Sequence, residues 1–317
     1  MGGTVKRAGS ALALFVLVLV GLPVGAHAAA IENGRIYYSN GAILPDPDPS
    51  SESQIWSVKP DGTGIRQLTH VVAPVQAGGP DVSPDGTKVL YVSNPHGPFQ
   101  VWMMDADGSG QHRVVKDAGH DAFVPRWSPD GTQLLFTRCS FPFGFLECTI
   151  ATAAVDGTGL RDLTSGHWFD FSAAYSPDGN TVAFAGDRGG FVSAIFRIPA
   201  AGGQPHRVTP ADIEAFAPDY RPDGRRILFG NNADRPHTDF FTMTPSGGNV
   251  MQLTEFAPGT QGGFARYSPD GKRIVFDYVD DTTDWLAVMN TDGSGFTKLV
   301  EVGGTETLTL ADWGVSS

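Results

Sequence analysis

Five copies of a Pro-Asp-Gly element, four of them led by Ser, recur along the chain at nearly even intervals. Their prolines are Pro84, Pro129, Pro177, Pro222 and Pro269, spaced 45, 48, 45 and 47 residues apart. Proline presets φ, and Asp-Gly accepts the positive φ of a tight hairpin. An aromatic or apolar residue stands before each turn (Val82, Trp127, Tyr175, Tyr220, Tyr267), and an aromatic follows each glycine by five residues (Tyr91, Phe136, Phe184, Phe229, Phe276). The run carrying that second aromatic is almost continuously apolar, as in a strand buried on both faces. A period of this length, filled with short strands and turns, is the signature of a β-propeller blade.

A second turn repeats six times, with its glycine at Gly62, Gly108, Gly157, Gly202, Gly247 and Gly293. Each copy leads into a short outer strand closing at Thr69, Val115, Thr164, Thr209, Thr254 or Val300. Six second turns against five first turns leave half a blade at each end of the chain. Leu310-Ala311-Asp312-Trp313 matches the stretch before the first turn, and Asn33 to Tyr38 matches the stretch after it. The expected fold is all-β: a six-bladed β-propeller of four-stranded antiparallel blades, closed by N- and C-terminal strands that share one blade and leave no free edge.

Residues 1–30 read differently from the rest. Lys6 and Arg7, an apolar run from Ala11 to Leu22 and the small-x-small site Ala26-His27-Ala28 form the pattern of a secretory signal cleaved near Ala28–Ala30. No Arg-Arg pair precedes the run and no Cys follows it, so export in the unfolded state without a lipid anchor is expected. The domain boundaries expected are 1–30 for the signal and 31–317 for the propeller. Removing the two basic residues leaves 20 Lys and Arg against 34 Asp and Glu, a net charge of −14. That balance argues against nucleic acid and anionic lipid as partners. No later segment has the ~20 apolar residues of a membrane span. Cys139 and Cys148 fall at facing ends of consecutive predicted strands, within reach of a disulfide that suits an oxidising compartment.

The chain resembles the TolB propeller family, whose blades carry the same aromatic-Ser-Pro-Asp-Gly element. Trp127-Ser128-Pro129-Asp130-Gly131 and Tyr175-Ser176-Pro177-Asp178-Gly179 match it closely. Asp61-Gly62-Thr63-Gly64 before Leu68-Thr69, and Asp156-Gly157-Thr158-Gly159 before Leu163-Thr164, match its second turn. The resemblance covers about residues 31–317. The TolB of the Tol-Pal envelope system has a further α/β domain ahead of its propeller, and nothing belonging to that domain is carried over.

Chemistry is sought where the repeats differ. Asp105-Ala106-Asp107-Gly108-Ser109-Gly110 looks like half of a calcium loop, but it lacks the later carboxylates, and other copies have Ala200 and Ser246 at the equivalent place. It reads as a turn, as do the Pro-Asp-Gly aspartates. One position before the inner-strand aromatic, the six blades place Asp81, Arg126, Ala174, Asp219, Arg266 and Asp312. Pointing inward, these make a ring with Asp81 beside Arg126 and Asp219 beside Arg266. Such a ring either pairs its own charges at strand ends or lines a polar channel for a small ligand or ion.

The loops leading into the inner strands contain His120-Asp121-Ala122-Phe123, His167-Trp168-Phe169-Asp170-Phe171 and Asp212-Ile213-Glu214-Ala215-Phe216. Aromatics beside His and Asp suit a peptide or a sugar, which adds His120, His167 and Trp168 to the ligand candidates. An acidic rim on the same face would hold Asp46, Asp48, Asp187, Asp234, Asp239, Asp280, Asp281 and Asp284.

The reading reached is an exported, monomeric, non-enzymatic binding or scaffold protein without a cofactor. Its ligand is a protein or cell-envelope component, with saccharide or peptide as possible forms, engaged through the loop face and central channel. The alternative is a propeller-type polysaccharide lyase or peptide-processing enzyme with a metal on His96, His120, His167 and His237, although no ligand spacing marks these residues. The α/β-hydrolase partner of prolyl oligopeptidase propellers is not expected, since the chain has no Gly-x-Ser-x-Gly.

Overall fold

Each Pro-Asp-Gly element folds as its residues dictate. The glycine takes a left-handed φ between 67° and 74° in all five copies. The aspartate accepts the backbone N–H two residues on, at 3.0 Å in Asp85, Asp130, Asp178 and Asp270 and at 2.9 Å in Asp223. These carboxylates are turn formers. The turn carries the chain from the innermost strand of a blade into the next.

The computed structural model describes residues 31–40, 53–141, 146–166, 168–189, 192–231, 238–257, 259–280, 283–304 and 310–316. The proposed signal at 1–30 lies outside them. Among the described residues, 24 strands form six four-stranded antiparallel sheets, the six blades of a propeller. Blades 2 to 6 begin with innermost strands Ala77–Val82, Asp121–Trp127, Asp170–Tyr175, Phe216–Tyr220 and Thr260–Tyr267. Blade 1 takes its innermost strand, Ala311–Val315, from the end of the chain and its other three, Asn33–Ser39, Ile55–Val58 and Arg66–Gln67, from the beginning. The ring closes as the turn count predicts.

The core lies between blades. Tyr91, Phe136, Phe184, Phe229 and Phe276 are all buried, and each belongs to a cluster drawing on two adjacent blades. Burial of one such ring stabilises by about 1.5–3 kcal/mol. In blades 1 to 5 the outer strands are two residues long, shorter than the repeats imply, whereas in blade 6 the strand Thr297–Gly304 runs on past Val300. Arg66–Gln67 stops before Thr69, because the Thr69 hydroxyl turns inward to accept the Ile55 N–H at 2.8 Å. Thr164, Thr209 and Thr254 do the same for Ile150, Ile195 and Phe240.

The second-turn glycines knit neighbouring blades. A Cβ at Gly247, in blade 5, would lie 1.9 Å from the carbonyl oxygen of Val208, in blade 4. Gly157 and Gly293 approach Val114 and Leu253 equally closely, at 2.1 Å. Gly247→Ala is therefore expected to destabilise by about 2–4 kcal/mol, through strain at φ +88° and overpacking. Gly159→Ala, at φ +65° with nothing within 4 Å of the added carbon, is expected to cost only about 1–2 kcal/mol. Urea denaturation of the two variants checks the difference.

Cys139 and Cys148 are a register pair in blade 3 and form a disulfide, with Cα atoms 4.1 Å apart. Closing a loop with a sequence separation of 9 should stabilise by about 2–3 kcal/mol. Both sulfurs are buried, so reduction needs prior opening. A Cys139→Ser, Cys148→Ser chain is expected to show that loss in chemical denaturation.

Candidate functional site: the axial charge cluster and the loop-face mouth

A repeated distortion aims the innermost strands. Their pairing with the second strands breaks register between Gly78 and Asp81, Phe123 and Arg126, Phe171 and Ala173, Phe216 and Asp219, and Gly262 and Ala265. At four of these bulges one residue is left-handed: Gly79 at φ 64°, Val124 at 48°, Ser172 at 49° and Ala217 at 50°. For a β-branched residue such as Val124 this is a strained conformation. Two residues beyond each stand Asp81, Arg126, Ala174 and Asp219, so the bulge sets the direction of the ring side chains.

The ring residues do meet, by a route broader than adjacent pairs. Arg126 Nε contacts Asp81 Oδ1 at 2.8 Å, and its Nη2 donates to Asp219 Oδ1 at 2.8 Å. Asp219 belongs to blade 5, so Arg126 of blade 3 reaches past blade 4, where Ala174 leaves room. The expected Asp219–Arg266 pair is looser, at 3.9 Å, and Arg266 also donates to its own neighbour's carbonyl, Ala265 O, at 3.2 Å.

Each aspartate spends its second oxygen on the next blade. Asp81 accepts the Trp127 N–H at 2.7 Å, Asp219 the Tyr267 N–H at 2.9 Å, and Asp312 the Val82 N–H at 2.8 Å. The cluster thus ties blade 2 to 3, 5 to 6, and 1 to 2.

The cluster also plugs the axis. Asp81, Asp219 and Arg266 are only 5%, 4% and 4% exposed, and the gap left beside Arg126 and Arg266 is about 10 Å³, room for roughly one water-sized sphere. Burial pushes the Asp81 carboxyl up to about 8, against the pull of Arg126, and it raises Asp312 too. Burial, then repulsion from Arg126, brings Arg266 down to about 10, which leaves it charged at neutral pH. Burial lowers Arg126 as well, but Asp81 and Asp219 outweigh it and hold this guanidinium above its ordinary value.

On the loop side of the plug a pocket of about 300 Å³ opens across blades 4, 5 and 6. Its walls include Phe171, Phe216 and Phe264, with Glu214, Gln261 and Asp277 among its polar groups. Phe171, Glu214 and Phe216 come from the loops that sequence reasoning marked. Phe264, Asp277 and the Gly262-Gly263 pair were missed. Their one signal was the glycine pair just ahead of Arg266, since a Cβ on Gly263 would fall 2.5 Å from Asp277 Oδ2. A larger cleft of about 570 Å³ lies at the Pro-Asp-Gly turns between blades 3 and 4, beside Asp130 and Asp178, whose Oδ1 atoms are held by the turns themselves.

The remaining candidates are dispersed. His120 Nδ1 sits 3.0 Å from Asp117 Oδ1 and 2.9 Å from Arg138 Nη2, a bracket joining the loop to the second strand of blade 3. Trp168 is 39% exposed, and its carbonyl accepts the Cys148 N–H at 3.3 Å. His167 and His237 lie outside the described residues, as do Asp46, Asp48, Asp234 and Asp281 of the acidic rim. Of the described rim residues, Asp187 accepts the Phe169 N–H, Asp239 the Phe256 N–H, and Asp280 pairs with Lys298, whereas Asp284 is fully buried within the strand Thr283–Asn290 and is not part of a rim. Among the described residues, no group of three or more His, Cys, Asp or Glu is placed to hold a metal ion. None of them forms a helix long and apolar enough to cross a membrane.

Comparison with known proteins places this geometry in context. The family model described as the TolB beta propeller domain matches residues 61–315. A TolB homolog of Chlorobium chlorochromatii is 28% identical over 145 residues, which is 45% of this chain and 31% of that protein. An uncharacterized protein of Agrobacterium fabrum is 30% identical over 137 residues, or 41% of this chain and 46% of that one. The matched segments thus span less than half the length of these relatives. Among solved structures, TolB from Acinetobacter baumannii superposes with a TM-score of 0.70 at 20% identity, covering 89% of this chain and 66% of that one. A putative TolB from Agrobacterium tumefaciens gives 0.67 at 18% identity, covering 90% and 99%. At these identities the structures speak for the fold.

Proposed function

Since the chain belongs to the TolB beta propeller domain family, we propose that it is an exported binding protein that docks a protein or cell-envelope ligand on its loop face. The observation that carries this reading is the pocket at the channel mouth, built by three blades and walled by Phe171, Phe216 and Phe264. Rigid strands hold these rings, and partly buried aromatics on a stiff frame are what a docking surface uses for affinity. The axial plug below gives the mouth a closed floor, so a ligand rests on the face and does not thread the ring. Export rests on the basic, apolar and small-residue pattern of residues 1–30.

The test is retention from an envelope extract by the immobilised mature chain. The wild type is expected to hold a discrete partner that a Phe216→Ala, Phe264→Ala double variant releases. Equal retention by both, or by neither, overturns the proposal. Mass spectrometry of the exported chain should find its first residue within a few positions of Ala30, and light scattering should give a monomer.

A further inference from the structure

The cleft of about 570 Å³ at the Pro-Asp-Gly turns lies at the other end of the blades from the docking face. Its size is that of a small-ligand site, for which about 300–1,000 Å³ is usual. One difference between repeats opens it. Arg197 follows Phe196, the register partner of Phe184, and donates to Pro245 O across the seam at 3.0 Å and to Thr181 Oγ1 at 3.1 Å. In blade 3 the same position, after the Phe136 partner Ala151, is Thr152, too short to cross, and the seam between blades 3 and 4 stays open.

Its walls hold donors and acceptors that the chain leaves unused. Arg161, the register partner of Thr152, is exposed; its Nη2 donates to Ala200 O at 3.1 Å, and its Nε and Nη1 have no partner among the described residues. Asp130 accepts from Ser128 Oγ, Thr132 N and Thr132 Oγ1 on Oδ1 alone, so its Oδ2 has no partner among them either. The Ser128 hydroxyl, then the Thr132 N–H, hold this carboxyl below its ordinary value, which keeps it an ionised acceptor. The exposed Gln133 donates to Thr132 O at 3.2 Å and keeps its Oε1 unpartnered. Tyr175 adds a half-buried ring, its hydroxyl 3.4 Å from Thr152 Oγ1.

A cation in this cleft would meet Arg161, and an anion would meet Asp130 and Asp178. A hydrocarbon would strand all of these polar groups without partners. A hydroxyl both donates and accepts and carries no charge, so a polyhydroxylated ligand satisfies the two kinds of group together. From this we infer that the cleft binds a neutral saccharide. Its hydroxyls accept from Arg161 and donate to Asp130 Oδ2 and Gln133 Oε1, and the C–H face of a sugar ring packs on Tyr175. The inference concerns a different face from the docking role and stands whether or not that role does.

Calorimetric titration of the purified chain with disaccharides tests it. The neutral probes are maltose, cellobiose, lactose and N,N′-diacetylchitobiose; the charged ones are digalacturonate and the free amine chitobiose. At least one neutral probe is expected to bind with a Kd of about 1 mM or below, and both charged probes about tenfold more weakly than it. Because the ligand is uncharged, its affinity should hold steady between about 50 and 500 mM salt. Arg161→Ala, a change at an exposed side chain, should weaken binding about tenfold and leave the urea midpoint where it was. No binding of any neutral probe up to about 20 mM overturns the inference. So does a charged probe that binds as tightly as the best neutral one, an affinity that falls with salt, or an Arg161→Ala chain that binds like the wild type.

Discussion

Deleting residues 311–317 is expected to abolish cooperative folding of the propeller. The last strand pairs with Asn33–Ser39 through Ile36↔Trp313, Tyr37↔Asp312 and Tyr38↔Ala311. It supplies the innermost strand of blade 1, and with it three separate ties. Trp313 is 3% exposed within the core shared by blades 6 and 1, and its Nε1 donates to Gly34 O at 3.2 Å. Asp312 accepts the Val82 N–H of blade 2, and the Ser316 N–H reaches Glu32 O at 2.9 Å. Loss of a buried tryptophan side chain alone costs about 3–5 kcal/mol. The deletion adds an unpaired edge on Asn33–Ser39 and an opened seam between blades. A domain with about 5–15 kcal/mol in total cannot absorb that sum. The check is a thermal melt followed by near-ultraviolet dichroism: the deletion should show no sigmoidal transition, and Trp313→Ala alone a transition lowered but intact. A cooperative melt near the wild-type midpoint in the deletion would mean that the ring does not depend on this closure.

The same closure is written in the repeats of the chain itself. Turns and aromatics repeat locally, so counting Gly62 through Gly293 against Pro84 through Pro269 was enough to place the C-terminal strand in the blade begun by the N-terminus, though not its register of Ile36 on Trp313. The ring positions were also legible, because each sits one residue before an aromatic or, after Asp81, a valine whose place is set by the turn. The reach of Arg126 to Asp219 was not. It depends on the length of the arginine, the smallness of Ala174 and the diameter of the ring, and none of these is a property of one repeat. The mouth pocket was half visible. Phe171, Glu214 and Phe216 stood out in variable loops, whereas Phe264 and Asp277 lie in strands where an apolar or polar residue excites no notice. Val124 gave no warning of a left-handed backbone, since a β-branched residue is the least expected one there. His120 pointed to a site and proved to be a bracket, because its neighbours Asp117 and Arg138 come from different elements.

Arg126→Ala should be the most damaging single substitution in the axial cluster. It strips Asp81 and Asp219 of their 2.8 Å partner while both remain buried. Removing one member of a buried polar cluster of this kind costs about 3–5 kcal/mol, since both carboxyls stay buried and lose their donor. The stranded carboxylates cannot turn to solvent, because their other oxygens hold the Trp127 and Tyr267 N–H groups of the next blades. Removing the charges together should hurt less: Arg126→Met with Asp81→Asn and Asp219→Asn keeps acceptors for those N–H groups and leaves no orphan ion. The loss in Arg126→Ala should also grow with pH. Asp81 titrates at about 8 in the folded chain against 3.8 when unfolded, so folding takes up a proton between these values. Its contribution to stability is full below the unfolded value and fades as pH rises through the folded one. Without Arg126 the folded value moves higher still, and the fading continues into the alkaline range where the wild type has levelled off. Urea denaturation at about pH 7 and pH 10 should therefore show a wider gap between variant and wild type at the higher pH. A gap that is constant or narrows would mean that Asp81 is already ionised at neutral pH, and that Arg126 supports the ring through packing and hydrogen bonds, not through charge.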